Sequence, residues 1–165
     1  MSTFSLRAAT VADVPDLIRL VRELADYERA PESATATPTQ FEAALFPADG
    51  APTASAEVAL VDGRVVGMAL WFTTFSTWTG TPGLWLEDLF VEPAHRGSGI
   101  GAALLERLAG VCVERGWARF EWTVLDWNAP AIAFYESRGA RPLSDWTTYR
   151  VEGEALTTLA GAARP

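Results

Sequence analysis

The stretch Leu84-Trp-Leu-Glu-Asp-Leu-Phe-Val91, continued by Glu92-Pro-Ala-His-Arg-Gly-Ser-Gly-Ile-Gly101, limits the folds open to this chain more than any other. Its first half is bulky and apolar except for two adjacent acids, which is a strand pattern. Its second half is a glycine-rich turn running into the helical Ala102-Ala-Leu-Leu-Glu-Arg-Leu108. Gly97, Gly99 and Gly101 leave no Cβ between the loop amides and an occupant. Those amides stand at a helix N-terminus, whose orphan N–H groups and dipole favour negative charge. The stretch reads as strand, anion loop, helix, and a pyrophosphate fits it.

Two glycine-loop patterns compete. Gly97-x-Gly99-x-x-Ala102 fits the dinucleotide fingerprint, and Glu121 lies about twenty residues on, where a ribose-binding acid would sit. That fingerprint follows its strand at once, whereas Pro93, Ala94, His95 and Arg96 intervene here, and no series of parallel strand–helix repeats accompanies it. A P-loop fails because no Gly-Lys-Ser/Thr follows. The other pattern is Arg96-x-x-Gly99-x-Gly101.

Composition bounds the rest. A chain of 165 residues predicts one domain, residues 1–165, that buries roughly 70% of its unfolded surface. Hydrophobic content of 49% with seven Trp argues for a folded globule. A net charge of −8 and a pI near 4.6 argue against nucleic-acid and anionic-membrane partners, which require a basic footprint. There is no apolar run of the ~18 residues a membrane span needs, and no leader pattern at the N-terminus. One Cys and one His leave no metal site and no internal disulfide, so a reducing cytoplasm is expected.

Taken in order, Phe4–Ala8 alternates like a short strand, and Thr10 with Asp13 forms a capping pattern opening a helix that ends at Tyr27-Glu28. Val14, Leu17, Ile18, Val21, Leu24 and Ala25 make its core face. Residues 31–52 predict a mobile rim over a site, with one short helix capped by Thr37, Pro38 and Gln40. Residues 56–61 and 64–72 predict a hairpin around Asp62-Gly63. A loop with Ser76-Thr77-Trp78 is expected over Thr73–Pro82. The helix after the glycine loop carries Cys112 on its apolar face, so Cys112 reads as core, and His95 reads as a surface residue. Further strands are predicted at Trp117–Leu125 and within Arg141–Val151, with helices from Ala129 through Arg138 and over Glu154–Ala160. The element order is that of a mixed α/β layered domain.

Arg96-x-x-Gly99-x-Gly101 in its strand–loop–helix setting resembles the motif of the GNAT acyl-CoA N-acetyltransferase superfamily. Leu24-Ala-Asp-Tyr-Glu28, Trp85-Leu-Glu-Asp88, Trp127-Asn128 and Phe134-Tyr135 extend the likeness to the diamine (spermidine/spermine) acetyltransferase group. Ser76-Thr77-Trp78, Val124-Leu-Asp-Trp-Asn128 and the tail from Gly153 to Gly161 are similar to its thialysine Nε-acetyltransferase branch. The resemblance implies a mostly antiparallel central sheet flanked by helices, with splayed parallel strands at the coenzyme site. It implies acetyl-CoA as co-substrate, a primary amine as acceptor and a homodimer. Leu89, Phe90, Val91, Arg96, Gly97, Ser98, Gly99, Ile100, Gly101, Ala102, Asn128, Ala131 and Tyr135 would hold the coenzyme. Tyr27, Glu28, Ser76, Thr77, Trp78, Glu87 and Asp88 would surround the amine, Glu87 acting as base through water and Tyr135 as acid. His95 stands where these relatives usually have Tyr, and only Asp145 remains where they carry several acids after Gly139. A non-catalytic acyl-CoA-binding regulatory module of the same fold, or a dinucleotide-binding oxidoreductase, are the alternatives.

Adjacent strand residues face opposite sides, so Glu87 and Asp88 can serve one space only if the strand bulges.

Overall fold

The computed structural model describes residues 3–162. They divide into two compact units at Thr123/Val124, and each is described by itself.

The first unit is built on a five-stranded sheet in the order β1-β2-β3-β4-β5: β1 (Phe4–Ala8), β2 (Ser55–Val61), β3 (Arg64–Ser76), β4 (Thr81–Val91) and β5 (Phe120–Glu121). The first four strands pair antiparallel and β5 joins β4 in parallel. This is the mixed, mostly antiparallel sheet expected. Its faces are covered separately. On one lie α1 (Val14–Tyr27) and α2 (Pro38–Leu45), where Leu17, Leu20 and Leu45 pack on Ala56, Val58, Met68, Leu70 and Phe90. Leu17 and Leu20 are fully buried, each contributing about 2 kcal/mol of apolar burial. On the other lies α3 (Ile100–Glu114), with Ile100, Leu104, Leu108 and Cys112 buried. Gly67 of β3 permits that contact, since a Cβ there would meet Ile100 Cγ2 and the Phe90 carbonyl at 3.2 Å. Cys112 is a core residue as the sequence predicts, and burial pushes its thiol pKa up.

The helix starts follow the expected chemistry. The Thr10 amide donates to the Asp13 carboxylate at 2.7 Å, although the cap opens one 3₁₀ turn, residues 11–13, before α1 begins. Arg7 donates twice to Asp13, and this holds the Asp13 pKa down at about 2. At α2, Thr37 and Gln40 satisfy each other's amides, and Pro38 occupies the first turn.

Three expectations give way. Thr73–Pro82 is not a loop: β3 runs on to Ser76 and β4 starts at Thr81, because Thr73, Thr74 and Phe75 find ladder partners in Leu84, Gly83 and Pro82. Of the strand expected at Trp117–Leu125, only Phe120–Glu121 pairs. No strand forms within Arg141–Val151 among the described residues. Its β-formers Trp146, Tyr149 and Val151 are exposed, and a strand exists only where a neighbour supplies the ladder.

The second unit holds α4 (Ala129–Glu136), slightly shorter than expected, and α5 (Gly153–Ala162). No helix among the described residues is long and apolar enough to cross a membrane.

Candidate active site

The site in the first unit grows from an irregularity in β4. Leu70 pairs with Asp88 and the next residue, Trp71, pairs with Leu86, so Glu87 is an extra residue with no partner on β3. The ladder's register decides what this does. Met68 and Leu70 belong to the α1-side core, and their partners Phe90 and Asp88 share that face. Trp85 lies opposite Phe72 on the same face, with ring centroids 6.3 Å apart. Glu87 reaches back to this ring, its Oε2 accepting a hydrogen bond from the Trp85 indole at 3.0 Å. The bulge thus turns both acids to one side, the condition the sequence had left open.

Their surroundings differ. Glu87 is exposed, whereas Asp88 is partly buried and its pKa is raised to about 6, first by desolvation and then by the charges of Glu87 and Glu28. Glu28 caps the end of α1, and burial raises its own pKa. Three carboxyls thus approach one another, and an ammonium among them would relieve both the repulsion and the desolvation.

Beyond Trp85 no strand pairs with β4 on its β5 side among the described residues, so residues 87–91 leave a sheet edge open there. The parallel β4–β5 pairing expected here is present, as a ladder of two residue pairs. An extended amide-bearing chain can take ladder hydrogen bonds from such an edge.

The glycine loop follows directly. After a 3₁₀ turn at Pro93–His95, Gly97 and Gly99 adopt φ of 76° and 92°, which non-glycine residues avoid. A Cβ at either would meet nothing within 4 Å, so it is the backbone conformation and not crowding that selects glycine there. Gly99 caps α3, and the Ala103 amide is the first to find an intrahelical acceptor, at Gly99 O. The amides of Ile100, Gly101 and Ala102 are helix-end donors with no intrahelical partner. Ser98 is tied down by its hydroxyl, which donates to His95 O at 2.6 Å. Arg96 donates from Nε to Val91 O at 2.9 Å, and its Cζ stands 4.9 Å from the Tyr27 ring and 5.3 Å from that of Phe90. Backbone donors, a helix N-terminus and one fixed cation form a donor set that fits a pyrophosphate.

A model of the acetyltransferase (GNAT) family matches residues 17–140. The chain belongs to this family.

Its relatives include the thialysine N-epsilon-acetyltransferase of Sus scrofa, 33% identical over 98% of this chain and 99% of that one. The spermidine/spermine N(1)-acetyltransferase-like protein 1 of Homo sapiens is also 33% identical, over 97% of this chain and 24% of that protein. Among solved structures, an integron cassette protein from V. cholerae superposes with a TM-score of 0.79 at 26% identity, covering 97% of this chain and 98% of that one. Within this family the chain sits with N-acetyltransferases of the diamine acetyltransferase group, and is itself an N-acetyltransferase.

In this GNAT enzyme the remaining predicted residues fall as follows. Ser76 is buried at the β3–β4 turn, where its hydroxyl accepts from the Thr79 amide at 3.3 Å, while Thr77 and Trp78 stand exposed at the tip. Leu89 and Val91 face α3 and Phe90 faces α1. In the second unit, Asn128 caps α4, its Oδ1 accepting from the Ala131 amide at 3.3 Å, and Tyr135 packs edge-on against Phe134 at 5.2 Å.

Two supports are not among the residues the sequence singles out for a role. Trp85 hydrogen-bonds Glu87, and an indole two positions before an acid on a strand is a legible signal. Glu92, the residue after β4, is the hub of an ion cluster with Arg64 at 2.6 and 2.8 Å and with Arg19. Burial alone would raise the Glu92 pKa, but hydrogen bonds from Arg64 and Arg19 and their charges outweigh it and hold it down. Nothing in the sequence marks partners this far apart.

Proposed function

We propose that this enzyme transfers the acetyl group of acetyl-CoA directly to a primary amine of a small molecule, a thialysine-like amino acid or a di- or polyamine. The observation that carries this reading is the bulge at Glu87, which turns two carboxyls to one face a few residues before the pyrophosphate-type loop. The family match runs across both units, so we read residues 1–165 as one catalytic domain; the group's resemblance favours a homodimer, and the single cysteine favours a reducing cytoplasm.

Leu89 to Val91, Arg96 and the loop from Gly97 to Ala102 would hold the coenzyme, which supplies an activated acyl thioester. Asn128 and Ala131 belong to the same reading by motif. An amine with a pKa near 10.4 must lose a proton at a cost of roughly 4 to 5 kcal/mol at neutral pH. Glu87 is the base, acting through water while the Trp85 indole fixes its carboxyl. Asp88 and Glu28 draw the ammonium in, with Tyr27, Ser76, Thr77 and Trp78 completing the pocket. The amine nitrogen then attacks the thioester carbon, the carbon–sulfur bond breaks, and Tyr135 gives its phenol proton to the departing thiolate. A thiol pKa near 8.5 makes that transfer from a phenol near 10 a small step.

The test is CoA thiol release from acetyl-CoA across thialysine, lysine, putrescine, spermidine and an N-terminal peptide. Release with thialysine well above spermidine is expected. Preference for polyamines would overturn the reading of Ser76 and Thr77 and keep the reaction. Binding of acetyl-CoA with no release from any of these amines would put the acceptor outside the panel or favour a non-catalytic acyl-CoA-binding module, and binding of NAD instead would favour an oxidoreductase.

A further inference from the structure

We infer that Tyr27 is a positioning residue for the coenzyme loop, acting by stacking on Arg96 and so fixing the one cation that the loop presents to a pyrophosphate. This rests on the reading of residues 96–102 as the acetyl-CoA site.

An exposed arginine samples many rotamers, and holding its charge in one place costs about 2 kcal/mol of side-chain entropy. Arg96 is exposed and lies in a loop with two left-handed glycines. The restraint comes from elsewhere. Nε is taken by the Val91 carbonyl at the end of β4, which fixes the plane of the group. One ring below the sheet surface, Phe90, and one ring from another element, Tyr27, then border the guanidinium at 5.3 and 4.9 Å. A cation near two π faces gains an attraction of about 0.5–1 kcal/mol for each at partly exposed sites.

The two rings are not equivalent. Phe90 is buried in the core under α1 and is needed there whatever Arg96 does. Tyr27 is the last residue of α1 and is 36% exposed. The next residue, Glu28, is the one whose charge reaches Asp88. The end of α1 thus touches both the cation of the coenzyme loop and the acid group of the amine side, and Tyr27 is its link to the former.

Calorimetric titration of acetyl-CoA, with no amine present, tests this on the full chain. The variants are Tyr27→Leu, Tyr27→Phe, Arg96→Ala and Arg96→Ala with Tyr27→Leu, and Tyr27→Met serves if Tyr27→Leu does not fold. Tyr27→Leu should weaken acetyl-CoA binding about fivefold while Tyr27→Phe keeps the wild-type affinity. Arg96→Ala should weaken it at least as much, and adding Tyr27→Leu to it should change the affinity by less than about twofold. Unchanged affinity in Tyr27→Leu, independent losses in the double variant, or an equal loss in Tyr27→Phe would each overturn the inference while leaving the coenzyme reading intact. Failure of the wild type to bind acetyl-CoA would overturn both.

Discussion

Asp88 carries the clearest conflict between stability and chemistry at the residue scale. Its pKa in the folded chain, about 6, lies above the ordinary 3.8, so folding favours the protonated form. As pH rises from about 4 through 6 the unfolded chain releases this proton more readily, and stability falls by up to about 3 kcal/mol. Asp88→Asn should therefore raise the melting temperature at pH 8 and leave it nearly unchanged at pH 4, as thermal melts at the two pH values would read. An equal gain at both would mean that packing, not charge, changed. Tyr135→Phe probes the opposite end of the reaction. It should lower turnover about tenfold or more with acetyl-CoA affinity retained, and unchanged turnover in steady-state assays would remove Tyr135 from proton return.

At the scale of elements, the backbone of the glycine loop can be tested apart from that of its helix. Two glycines associated with α3 separate the loop's demands from the helix's own. Gly99 has φ 92° and Gly110 has an ordinary helical backbone, and a Cβ at either would meet nothing within 4 Å. Steric fit is thus the same, and only the backbone differs. Gly99→Ala should cost about 1–2 kcal/mol and weaken acetyl-CoA binding. Gly110→Ala should stabilise by about 0.5–1 kcal/mol and leave binding alone. Denaturant unfolding and calorimetry on the pair check this, and equal effects would refute the role given to the left-handed turn. The glycine loop is legible in the sequence because positive φ at Gly97 and Gly99 restricts the residue type. The bulge was legible only as a condition, since Glu87-Asp88 on a strand reads the same whether or not an extra residue is inserted opposite Leu70 and Trp71.

For the molecule, the Glu92 cluster joins α1 through Arg19 and the start of β3 through Arg64 to the end of β4, where the glycine loop begins. Arg64 is more than half exposed, which discounts the pairing, and Glu92→Gln should cost about 2 kcal/mol. Because the Glu92 pKa is held down, its contribution is present above the ordinary carboxylate range and lost as pH falls through the folded value. Wild type and Glu92→Gln should therefore converge in stability under acid, and a constant difference in melts taken from pH 7 to 3 would count against the ion cluster. Legible from the residues alone are the layered α/β class, the helix caps, the Asp62-Gly63 hairpin and the glycine turn before α3, because propensity, periodicity and allowed backbone angles act within a few residues. The sequence could not determine that Arg141–Val151 would lack a ladder partner, that Thr73–Ser76 would extend β3, or that Tyr27 would lie on Arg96. Those depend on which distant edge or side chain is available, and only tertiary packing decides that.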